Sequence, residues 1–285
     1  MKNLKLLLGM FIFAITFTNC TFDDETTDPS VEAYNIADQA NGGIMYDKFW
    51  AAESSFDQSD ANLATIDDNS NFFRCKQCHG WDGLGNKGAY INRAPKTSRP
   101  NVTGFNLYEL GQTETAQQIF DDLNKTEGRR NITTDLSTYD PATNYTEGDK
   151  MPNLTQVLTE AQMWDLVKFI KEGMFDVTEL YDFTTTGTYP TGTWTPSNVG
   201  TDGNAANGNA YYTANCVSCH GADGTTIVVE KGTVGNFVRL KGNEAQHKIH
   251  YGQLGTGMAY RNITLSEMKD LYKALADETA YPSPL

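Results

Sequence analysis

The chain has 285 residues, enough for about two small domains. Hydrophobic residues make up 39% of it, which excludes a wholly disordered chain. Twenty-two basic side chains against 36 acidic ones leave a net charge of −14. With no basic surface to neutralise phosphates, nucleic acid is excluded as a partner.

The N-terminus reads as an export signal. Lys2 and Lys5 precede an almost unbroken apolar run from Leu6 to Phe17. Twelve residues are too few to span a bilayer core as a helix, but they suit the apolar region of a signal peptide. Cys20 follows, and then the acidic stretch TFDDETTD. This order resembles a bacterial lipoprotein signal. The resemblance implies a signal peptide at 1–19, acylation of Cys20 and an acidic tether at 20–40. It also implies an exported protein, lipid-anchored to a bacterial membrane in the periplasm or at the cell surface. An ordinary secreted protein, with Cys20 removed or free, is the plainer alternative.

Residues 42–53 (GGIMYDKFWAAE) form the first expected helix, with Tyr46, Phe49 and Trp50 as its packing residues. An acidic insertion separates it from Cys75, Cys78 and His79 in CKQCH. Trp81 and Asp82 follow closely, and a long loop runs to Met151 in KMPN. Thr159 and Gln162 have capping-box spacing ahead of a second helix. On that helix Met163, Leu166, Val167 and Ile170 lie on one face and read as core. The segment 181–200 is rich in Thr, Gly and Pro and reads as a linker lying against the domains. A third helix, AANGNAYYTAN, leads into CVSCH with Cys216, Cys219 and His220. Residues 226–240 read as a small β-hairpin turning near Lys231 and Gly232. His247 and His250 fall on a short expected helix, ahead of a Gly-rich loop holding Met258. Thr264 and Glu267 cap the last helix, whose apolar stripe is Met268, Leu271, Tyr272 and Leu275.

Two C-x-x-C-H motifs exceed chance in a chain with five cysteines and four histidines. The pattern is that of covalent c-type haem attachment. Thiols at i and i+3 share one face of a helical turn, so both can reach the vinyl groups of one porphyrin. The adjoining imidazole then points at the iron. Two haems use four cysteines and leave only Cys20 for lipid. A four-cysteine zinc site, two CxxC disulfides and thioredoxin-like redox pairs are the competing readings. None of these explains a histidine directly after each pair.

The order of short helix, C-x-x-C-H, loop, methionine and final helix resembles the class I cytochrome c family. The resemblance covers roughly 41–178 and 201–278. It implies a mainly α fold of two cytochrome c-like helical domains in tandem, at 41–180 and 201–285, with long loops and the small hairpin in the second. It implies two covalently bound c-type haems, with proximal ligands His79 and His220. The sixth ligands are expected to be Met151 and Met258, each in a loop just ahead of a capped helix. His247 and His250 are the rivals at the second iron. Arg74, Lys76, Arg129 and Arg130 are candidate partners for haem propionates, and Trp81 is a candidate neighbour of the first haem. Two closed axial positions favour electron transfer over chemistry at the metal. The expected role is relay of electrons between redox proteins of a respiratory chain, with the membrane reached through the lipid anchor. The acidic surface would attract partners with basic docking patches. The alternative is a dihaem oxidoreductase of thiosulfate dehydrogenase-like or peroxidase-like type. The former commonly has a distal cysteine, and no cysteine is spare here.

Overall fold

The computed structural model describes residues 28–49, 73–96, 99–124 and 151–284. The signal peptide, Cys20, Trp50, Arg129, Arg130 and nearly all of the acidic insertion lie outside the described residues. The described part is mainly helical. No helix among the described residues is long and apolar enough to cross a membrane.

The first helix begins inside the expected tether. α1 (Pro29–Ile36) starts at Asp28, whose carboxylate accepts from Ser30 N, with Pro29 at the first helical position. Its Tyr34 packs edge-on against Trp164, and the Tyr34 hydroxyl donates to Glu172 at 2.6 Å. Residues 28–40 are therefore folded against the first core, a correction to the tether reading. An aromatic anchor outweighs the polar character of the surrounding sequence.

Two helix crossings then recur with the same chemistry. In the first, α2 (Gln39–Lys48) crosses α6 (Glu160–Lys168). The Asp38 carboxylate caps α2. Asp165 accepts from Asp38 N at 2.6 Å and from Asn41 Nδ2 at 2.8 Å. In the second, α7 (Ala205–Asn215) crosses α10 (Leu265–Leu275). Asn204 caps α7, and Asp270 accepts from Asn204 N at 2.6 Å and Asn207 Nδ2 at 3.1 Å. At each crossing point stands a glycine, Gly42 or Gly208. A Cβ there would overlap the carbonyl oxygen of Asp165 or Asp270. Both expected capping boxes are formed, Thr159 with Gln162 and Thr264 with Glu267.

Both apolar stripes are buried as expected. Met163, Leu166, Val167 and Ile170 join Met45, Tyr46 and Phe49 in one core. Met268, Leu271, Tyr272 and Leu275 join Tyr181 and Tyr212 in another. Each large apolar side chain so buried stabilises the fold by about 1.5–3 kcal/mol relative to exposure. Between α2 and α6 run α3 (Cys75–His79), α4 (Leu107–Thr113) and α5 (Ala116–Leu123). Phe120 of α5 stacks on Trp164 at 4.2 Å.

Two expectations about strands are corrected. The supposed linker holds the β-hairpin: β1 (Asp182–Thr186) pairs antiparallel with β2 (Thr193–Ser197), Thr184 opposite Thr195. Trp194 sits edge-on to Tyr181, so alternate hairpin side chains are held by the second core. Residues 226–240 form only an isolated bridge between Val229 and Gly232. From Val234 they enter the long helix α9 (Val234–Tyr251), capped by the Thr233 hydroxyl. Val228 is 81% exposed and finds no partner strand among the described residues, so its β propensity goes unused. α9 bends at Lys241, beside Gly242. Beyond the bend it leans on the first half of the chain.

Candidate haem sites

The first motif occupies α3. Arg74 enters it in extended backbone, and Gly80 leaves it at φ +79°, a conformation L side chains rarely adopt. Two hydrogen bonds hold this turn: Tyr46 Oη donates to Gly80 O at 2.6 Å, and Thr103 N donates to Cys78 O at 2.9 Å. Cys75 and Cys78 stand one turn apart. With His79 they line a cavity of about 520 Å³. Met151 and Pro152 line the same cavity, so the expected sixth ligand shares a space with the expected proximal one. Leu107, Ile119, Leu166 and Ile170 make its wall apolar, while Arg74, Asn101, Thr103 and Asp122 supply polar groups. A volume in the range of organic-cofactor pockets, a mostly apolar wall, two cysteines for thioether attachment and a His/Met donor pair fit a covalently held haem. Burial pushes both thiols up, each to about 12. A thioether has no ionisable proton, so attachment removes that penalty.

The candidate propionate partners separate. Arg74 borders the cavity, but its guanidinium pairs with the Asp47 carboxylate and Nε donates to Asp47 O at 2.8 Å. Lys76 is buried and lies over Trp81, its ammonium 4.5 Å from the ring centroid. Trp81 is not among the cavity-lining residues; it packs on His247 at 4.9 Å. The indole thus faces the second half of the chain. Between His79 and Trp81 stands Gly80 at φ +79°.

The second motif repeats the framework around α8 (Val217–His220), which Cys216 precedes. Gly221 has φ +78°, Tyr212 Oη donates to its carbonyl at 3.0 Å, and Thr226 N donates to His220 O at 3.0 Å. The cradle of the first motif is thus rebuilt with different residues. Cys216 and His220 are half-buried and Cys219 is exposed, so this site is the more open. Burial, and then the Arg261 charge, lower the His220 pKa. Met258 is half-buried in the loop after α9, its carbonyl accepting from Gln253 N at 2.8 Å. Arg261 ties that loop to the motif through Asn215, the residue before Cys216, at 3.4 Å.

His247 and His250 lie on the bent half of α9, a longer helix than expected, and both are buried. His247 touches Trp81, Tyr46, Phe169 and Tyr251. His250 stacks on Phe175 and Tyr251. The structure puts them in the contact between the two halves. Sequence reasoning missed Asp47, Asp165, Lys248 and Asp270. The signal for two of them was present: T-x-x-Q/E-x-x-D recurs as Thr159, Gln162, Asp165 and Thr264, Glu267, Asp270.

Residues 68–173 match the family model described as Cytochrome c. No curated protein and no solved structure matches the chain. The chain therefore carries a cytochrome c domain over 68–173, which supports a c-type cytochrome with covalently bound haem iron and a role in electron transfer.

Proposed function

We propose that the protein is a dihaem c-type cytochrome that relays electrons between redox proteins of a respiratory chain outside the cytoplasm, lipid-anchored through Cys20. The observation that carries this reading is the recurrence of one supporting framework around two C-x-x-C-H motifs. Tyr46 and Tyr212 hold the glycine after each histidine, and Asp165 and Asp270 lock each helix pair. A single haem would leave the second framework without a use. When bound, each haem iron supplies a reversible one-electron change. Cys75 with Cys78, and Cys216 with Cys219, would hold the porphyrins covalently, and His79 with Met151, and His220 with Met258, would supply the donor atoms to each iron. The apolar wall residues Leu107, Ile119, Leu166 and Ile170 would give the first haem a surrounding of low polarity.

The test is a haem count per chain with optical and EPR spectra of the oxidised holoprotein. Two low-spin haems with a Met–iron charge-transfer band are expected. One haem per chain overturns the dihaem reading. A high-spin second site overturns the carrier reading and makes peroxide and sulfur oxyanions the first substrates to try, as in the oxidoreductase alternative.

A further inference from the structure

We propose that a packed run of aromatic rings through the contact between the two halves, centred on His247, is the electron path linking the two haem sites. This rests on the dihaem reading above. The run is continuous. Trp81, two residues after His79, meets His247 at 4.9 Å between ring centroids. His247 meets Tyr251 at 4.9 Å, and Tyr251 meets Tyr260 at 5.9 Å. Tyr260 stands two residues after Met258. A second entry joins at the same point: Tyr46, bonded to Gly80 O, lies 5.8 Å from His247. His250 thickens the far end, 4.1 Å from Tyr251 and 5.6 Å from Tyr260.

The composition of this contact is otherwise costly. His247 Nε2 and both nitrogens of His250 are buried with no hydrogen-bond partner among the described residues. Buried polar atoms left unsatisfied destabilise the fold. Both imidazoles pack among aromatic rings, with centroids 4.1–6.0 Å apart. The cations around Trp81 point the same way. Arg74 and Lys248 lie 5.8 and 4.4 Å from its ring centroid. Positive charge at that range opposes oxidation of the indole. The ring therefore bridges the electron without being oxidised itself. One electron passes from one iron to the other; no bond forms or breaks and no proton moves.

The experiment uses the full-length holoprotein with both haems counted in every variant. Flash photoreduction reads the rate of redistribution between haems, and a redox titration reads both midpoints. A large-to-small change leaves a cavity that relaxes only partly, so His247→Ala should slow redistribution by about tenfold or more. His247→Phe keeps a ring in place and should restore the rate with midpoints unchanged. Independently of rate, the ring protons of Trp81 and His247 should carry paramagnetic NMR shifts in the oxidised protein that vanish on reduction. If His247→Ala does not load both haems, Trp81→Leu carries the same expectation. With two haems present, a wild-type rate in the Ala variant, or a Phe variant as slow as Ala, overturns the path. A single haem in the wild-type chain instead overturns the dihaem reading on which it rests.

Discussion

His250 illustrates how a single side chain couples packing to pH. Its ring lies 5.1 Å from Phe175, nearly parallel to it, and 4.1 Å from Tyr251. Burial lowers its pKa from 6.5 to about 4. The folded state thus binds this proton less readily than the unfolded chain. Its contribution to stability is complete above pH 6.5 and is lost as the pH falls through 4. Over that window the loss amounts to about 3 kcal/mol. His247 acts in the same direction, lowered first by burial and then by the charges of Lys248, His250, Lys76 and Arg74. Denaturant unfolding at pH 7 and pH 4.5 should show a smaller acid-induced loss in His250→Phe than in the wild type. Equal losses would mean that this imidazole does not titrate with unfolding.

At the scale of elements, the helix crossings decide whether either motif has a frame. α2 meets α6 at Gly42, and α7 meets α10 at Gly208, with no room for a methyl group at either point. Gly42→Ala and Gly208→Ala should each destabilise by about 1–3 kcal/mol through overpacking, despite the higher helix propensity of alanine. The expected losses are separable. Gly42→Ala should loosen the frame of the first motif and Gly208→Ala that of the second, read as unfolding midpoint and haem retention. A rise in midpoint would mean the helices can part without cost. These crossings were only half legible in the sequence. The capping boxes and apolar stripes of α6 and α10 follow from local spacing. The Asp165 and Asp270 locks did not, because each bridges residues more than sixty positions apart.

Across the whole molecule, α9 belongs to the second half by sequence but is held by the first. Gln246 donates to Trp81 O at 2.7 Å, Lys248 pairs with Asp47 at 2.8 Å, and Tyr251 donates to Gly173 O at 2.8 Å. Asp47 also takes Arg74, so one buried carboxylate joins the first motif to the second half. Ion pairs so placed set orientation more than they add stability. Net charge acts at the same scale. A charge of −14 would attract a cationic redox partner of the kind proposed above. The bimolecular rate of electron transfer with such a partner should fall as ionic strength rises and the Debye length shrinks. A flat salt response would remove steering from the account.

What the sequence determined by itself is local or periodic. The two C-x-x-C-H motifs, the capped last helix of each half, their apolar faces and the helix Ala205–Asn215 are all readable from spacings of a few residues. Helical turns, caps and stripes are settled by neighbours within one or two turns. The tertiary structure alone decided the rest. It drew residues from 234 onward into a helix and placed the hairpin in the apparent linker. It turned Trp81 away from the cavity and sank His247 and His250 into the contact between halves. Each of those outcomes depends on partners far away in the chain, as with Gln246 and Trp81, 165 residues apart. Burial against such partners outweighs local propensity, and no short window of sequence contains both sides of the contact.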